Sequence, residues 1–191
     1  MATFSERWAS LRNPSEATAI TFQSAVLVFT AVALPVHIWS ILHVLEELPA
    51  WLLRLSVWEL LGVIAYTQAF ALFESLGIFL IVLIPALILP KWLFANHFVA
   101  LAGLLVFTNS LWAILLQQNY ATVSDWGARQ FLPWLALYAL SMLAVYVSVL
   151  FSQKLSQWIR SFLDRTAVLA GLYITIDVIS VLIVLIRNLP L

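Results

Sequence analysis

An all-α integral membrane bundle of about five spans, carrying short interfacial amphipathic helices, follows from three features of this 191-residue chain. Hydrophobic residues make up 64% of it and charged residues 9%, against about 25% charged in soluble domains. Its mean hydropathy is +1.04, and its apolar runs reach the ~20 residues that a spanning helix needs. Charged and turn-forming residues gather in short segments between those runs.

Residues 1–13 place Phe4, Trp8 and Leu11 at helical spacing beside Glu6, Arg7 and Arg12, the pattern of a short helix lying on the membrane surface. Asn13-Pro14-Ser15-Glu16 then reads as a helix start, with Asn13 as N-cap, Pro14 at the first helical position and Glu16 at the third. The first span is expected over 17–45. Ala31-Val32-Ala33 resembles the cleavage site of a signal peptide, but the apolar run continues from Leu34 to Leu45, which favours a retained span.

The apolar stretch from Val57 to Leu89 would be about 50 Å long as a helix, against a hydrocarbon core of ~30 Å. No turn signal divides it near Glu74. An interfacial segment over 49–58 and one long, tilted span over 62–89, kinked at Pro85, are therefore expected. The third span covers 97–117, followed by a polar loop whose turn is Asp125-Trp126-Gly127. The fourth covers 130–152 and the fifth 166–186. Between them, 153–165 sets Leu155, Trp158, Ile159 and Phe162 on one helical face and Lys154, Gln157, Arg160, Ser161 and Asp164 elsewhere, which predicts an interfacial amphipathic helix. The whole of 1–191 is thus read as a single transmembrane domain.

Orientation follows from the basic residues. With five spans, one side holds Arg7, Arg12, Lys91, Lys154, Arg160 and Arg165 and the other Arg54, Arg129 and Arg187, and this six-to-three split puts the amino terminus in the cytoplasm and the carboxyl terminus outside. A plasma or inner membrane is the expected location. Trp8, Trp39, Trp51, Trp58, Trp92, Trp126, Trp134 and Trp158 fall near span ends, where an amphipathic ring is most stable.

Chemistry is sparse. There is no Cys, which excludes thiol nucleophiles, Cys-ligated zinc and iron–sulfur clusters within the chain. Net charge is zero, so nothing favours nucleic acid. Phosphate-binding Gly-rich loops, nucleophile elbows and His-Glu-x-x-His motifs are absent. His37 and His43 are six residues apart, not the four that grip one metal ion from a helix face, and His97 belongs at the opposite membrane surface, which disfavours a bis-His haem. No metal site and no cofactor are expected.

Two acidic residues, Glu74 and Asp177, lie well inside spans, where a charge costs at least ~2.5 to 3.5 kcal/mol on insertion scales. Each should face the protein interior beside a partner. Tyr173 and Ser180 share the face of Asp177, and Thr67, Ala71 and Gly77 that of Glu74. The 1.5 Å helical rise puts His37, Glu74, Asn109, Tyr138, Ser141 and Asp177 within roughly 8 Å of the midplane, compatible with one shared polar site. Ser, Thr, Asn and Tyr at such depths also serve ordinary interhelical packing.

Function is expected to be that of a non-enzymatic membrane component, an accessory or assembly subunit or a homo-oligomer protomer, whose partners are the bilayer and another membrane subunit or a second copy. The alternative is a transporter or channel for protons, cations or a small cationic solute, using the midplane carboxylates with His37. An intramembrane enzyme comes third; no catalytic residue is singled out, although a carboxylate orienting His37 could move a proton.

Overall fold

The structure, a computed structural model, describes residues 21–89 and 97–189. The predicted surface helix over 1–13, the Asn13 cap and the first residues of the expected 17–45 span lie outside the described residues. The helices are α1 Phe22–Leu52, α2 Val57–Ile88, α3 Phe98–Gln118, the single turn α4 Tyr120–Val123, α5 Ala128–Phe151 and α6 Gln153–Asn188. All except α4 are long and apolar enough to cross a membrane. The chain is an all-α, multi-pass membrane bundle.

Two segments expected as separate interfacial pieces are continuous with the long helices. Residues 49–58 are not a separate surface segment: α1 runs through Pro49 to Leu52, and α2 begins at Val57. The new start at Val57 is set by a capping box. Ser56 Oγ accepts from Glu59 N at 3.4 Å, while Glu59 Oε2 accepts from Ser56 N at 2.8 Å and from Ser56 Oγ at 2.7 Å, so the orphan donors of the new helix start are met locally. Residues 153–165 are likewise the first turns of one continuous helix, α6, capped by Ser152, whose Oγ accepts from Leu155 N. Ile159 of the apolar face assigned there to lipid packs inward at 2% exposure, beside Leu163 at 0%, leaving Trp158 outside. At about 1.5 Å per residue, 36-residue α6 is ~54 Å long, so it projects beyond a ~30 Å core at one end or tilts strongly.

α1 is the central helix, packed against α2, α3 and α6, whereas α5 contacts only α3 and α6 substantially. The bundle has two unlike ends. The basal end holds the starts of α1, α3 and α6. There Leu27, Val28 and Ala31 meet Ala86, the Phe98–Ala102 segment, Val149, Ile159 and Leu163 in one apolar cluster. Gly103 permits the close crossing: a Cβ there would sit 2.9 Å from Leu163 Cδ1 and 3.7 Å from Ala31 Cβ. The apical end holds the 53–56 turn, the α4 connection and the end of α6. It is tied by polar contacts, Arg187 Nη1 donating to Trp58 O at 2.7 Å and Asn188 Nδ2 to Tyr66 Oη.

Small residues set the α2 face. Gly62, Ala65, Ala69, Ala71 and Ser75 are all buried, which lets α2 approach its neighbours closely, as small side chains do in membrane helix pairs. Glu74, one position before Ser75, is consequently turned outward.

Candidate functional site

The six polar residues expected at one midplane site occupy three places. His37 and Asp177 come together in the core, Asn109, Tyr138 and Ser141 meet between α3 and α5, and Glu74 stands apart on the outer face of α2. The division follows from packing, since α5 is peripheral and the small residues of α2 dictate its rotation.

The core pair links the first and last spans. His37 and Asp177 are 0% and 2% exposed. His37 Nε2 lies 3.0 Å from Asp177 Oδ1 and 3.2 Å from Oδ2, and its Nδ1 lies 2.9 Å from Ala33 O. A carbonyl oxygen only accepts, so Nδ1 must carry a proton and donate. The Nε2–carboxylate link then needs one further proton, shared by the couple: on Nε2 it makes an imidazolium–carboxylate pair, on Asp177 a neutral pair. Both forms are net neutral, which is what a buried site requires. Tyr173 stacks on the imidazole at 4.8 Å and 25°, presenting a π face that favours a cationic ring. Tyr173 and Ser180, read from the sequence as sharing the Asp177 face, are both buried.

Two further core groups escaped the sequence reading. Gln68, 3% exposed, donates from Nε2 to Ser40 Oγ at 3.2 Å. Its Oε1 and Ser75 Oγ are buried without a hydrogen-bond partner among the described residues. The Ser40–Gln68 contact fixes the register of the antiparallel α1–α2 pair, so Ala71 sits near the level of His37, with Gln68 about one turn apical and Ser75 one turn basal. The couple is thus flanked along the helix axis by unmet polar atoms, which in native cores usually bind ordered water. Their helical spacing of seven, bracketing Ala71, is the signal that could have found them.

Between α3 and α5, Tyr138 Oη donates to Asn109 Oδ1 at 3.0 Å, Trp112 Nε1 to Ser141 Oγ at 2.9 Å, and Ser141 Oγ to Tyr138 O at 2.7 Å. Asn109 and Tyr138 border a cavity of about 270 Å³ walled by Trp112, Phe131 and Trp134. Edge-to-face contacts at 5.3 Å between Trp112 and Trp134 and between Trp126 and Trp134 hold the wall.

Glu74 departs most from expectation. It is exposed, not interior, and no group among the described residues hydrogen-bonds or ion-pairs with it. It borders a groove of about 390 Å³ between α1 and α2 with Ser40, His43 and Thr67. His43 is exposed, with Nδ1 4.0 Å from Glu46 Oε2. His97 caps the start of α3 and shares a 2.8 Å hydrogen bond with Ser156 Oγ, and burial lowers its imidazole from the ordinary value of 6.5. Among the described residues no three His, Asp or Glu side chains converge as a metal site would need. Neither a family model, nor a curated protein, nor a solved structure matches this chain.

Proposed function

We propose that the protein is a non-enzymatic membrane component that handles protons or small cations within the bilayer, with the His37–Asp177 couple as its charge-bearing centre. What supports the reading is a single arrangement: a fully enclosed acid–base couple, sharing one proton, between the first and last spans. Ionisable residues at membrane depth are costly and characteristically serve ion or proton pathways. Adding a proton to the ion pair, or taking the shared one away, leaves an unbalanced charge in the core and weakens the α1–α6 contact. Proton occupancy is thereby coupled to helix packing, the element that a switch or carrier needs. Gln68 Oε1 and Ser75 Oγ supply polar steps on either side of the couple. The six-to-three distribution of basic residues supports a cytoplasmic basal end in a plasma or inner membrane.

Proteoliposomes holding a pH-sensitive dye and driven by a potassium diffusion potential test this. The wild type should acidify or alkalinise the lumen faster than empty vesicles, and Asp177→Asn should abolish the difference. Flux equal in wild type and Asp177→Asn would remove the couple from the pathway.

A second reading, a protomer or accessory subunit of a larger assembly, is favoured by α5. Among its described residues those that are buried are Val149 and Leu150, at its basal end, so most of its length is open to lipid or to another subunit. Mass measurement in mild detergent tests it, and a monomer active alone in liposomes would exclude it.

A further inference from the structure

We propose that the groove between α1 and α2 is a binding site for a lipophilic organic cation drawn from the membrane phase. The groove measures about 390 Å³, within the range of small-molecule sites. Its polar groups are Glu74, Ser40, His43 and Thr67, and its aromatic walls are Trp39, Tyr66 and Phe70. Glu74 lies near the middle of α2, far from either end, yet has no partner among the described residues. The described basic side chains offer none: Arg54 follows the end of α1, Arg129 stands at the start of α5, Arg187 is engaged with Trp58 at the apical end, Lys154, Arg160 and Arg165 belong to the basal part of α6, and His43, in the groove, has Glu46 as its carboxylate neighbour. Among the described residues no Lys or Arg neutralises Glu74, and a cationic guest in the groove would supply that charge.

The chemistry of the walls specifies that guest. A carboxylate only accepts hydrogen bonds and attracts positive charge, and aromatic faces attract cations through their quadrupole. Trp39, Tyr66 and Phe70 are 38%, 41% and 76% exposed, so ring surface is available to a ligand. Beside the groove, Phe73 and Ile81 are exposed on the same helix, and at this depth they face hydrocarbon. A guest approaching from that side must partition into lipid, so it is an apolar cation, not a hydrated metal ion. This site is separate from the His37–Asp177 couple, and its ligand is independent of the proton reading.

The test uses the full chain in nanodiscs with tetraphenylphosphonium as the probe. Wild type should bind it saturably, and Glu74→Gln should weaken binding at least tenfold, whereas tetraphenylmethane-type neutral analogues should not compete. Because Glu74→Gln could alter folding, a second measurement uses the unmodified protein: a hydrophobic carbodiimide should label Glu74, and tetraphenylphosphonium should protect it in proportion to occupancy. Phe70→Leu should weaken binding several-fold without affecting carbodiimide labelling. Saturable binding that is unchanged in Glu74→Gln would overturn the proposal. So would absence of protection, or a cross-link from Glu74 to a second copy or another membrane protein that occupies the groove.

Discussion

Cutting the link between the first and last spans measures what the couple contributes. Asp177→Leu leaves His37 Nε2 unpartnered at a position with 0% exposure. Removing one member of a buried charged pair costs about 3–5 kcal/mol, because the survivor keeps its desolvation penalty. Replacing both members by Leu removes the orphan as well and should recover much of that loss. The decisive quantity is the coupling energy. A neutral interhelical hydrogen bond in a membrane protein averages about 0.6 kcal/mol and reaches ~1.7 kcal/mol, whereas hydrogen bonds to charged groups contribute about 1.5–3 kcal/mol. With both carboxylate oxygens within 3.2 Å of Nε2 and Tyr173 stacked on the ring, the bond itself should contribute about 2 kcal/mol, and the measured coupling should exceed this by the orphan penalty that the double variant relieves. The assay is unfolding of the wild type, His37→Leu, Asp177→Leu and the double variant by detergent titration in mixed micelles. Single-variant losses that add to the double-variant loss within ~0.5 kcal/mol would refute the reasoning.

Other predictions probe the frame around the couple. Ser56→Ala should cost about 0.5–2 kcal/mol by removing the cap of α2, read in the same titration. Gly103→Val should cost about 1–3 kcal/mol through overpacking against fully buried Leu163, and Gly77→Ala, where a Cβ meets nothing within 4 Å, should be nearly neutral beside it. Because burial lowers the His97 imidazole below 6.5, the folded state binds fewer protons than the unfolded one. The stability associated with it is complete above that value and falls as pH drops below it. His97→Gln should flatten this dependence, followed by thermal melting from pH 8 to 5. Gly62→Ala should expel the Arg187 side chain, whose Nη1 occupies the space of the new Cβ, and change Trp58 fluorescence at a cost under about 1 kcal/mol.

The membrane class was legible because hydrophobic length and charge depletion act over whole spans. All five membrane-length helices overlap the expected spans. Boundaries were harder where a local cap competes with an apolar run. Ser56 and Glu59 stood in the sequence as a capping box, but Trp51 and Trp58 around them read as an interfacial belt. In α6, the amphipathic pattern of 153–165 was real, yet Ile159 and Leu163 found a protein surface instead of lipid, a choice made by tertiary packing that periodicity alone does not encode. The Asp177 face with Tyr173 and Ser180 was readable from helical spacing, and the spacings of seven and three that join Thr30, His37 and Ser40 mark one face of α1, all of it buried. Gln23, seven residues before Thr30, is exposed. Glu74 misled because its charge drew attention to the wrong face. The small residues Gly62, Ala65 and Ala69 marked the buried side of α2, and that face carries Gln68 and Ser75.

Nitrogen-15 NMR of histidine-labelled protein in lipid bilayers tests most directly whether His37 and Asp177 share one labile proton in the core. The shared-proton arrangement requires a protonated Nδ1 in the wild type, an Nε2 resonance displaced from that of a free ring, and an Nε2 site whose proton exchanges with deuterated solvent under conditions that support flux. It also requires Asp177→Asn to move the Nε2 resonance to the position of a neutral ring nitrogen that accepts a hydrogen bond. An Nε2 resonance that is unchanged by Asp177→Asn, or one whose proton stays locked while the vesicles still conduct, would contradict it.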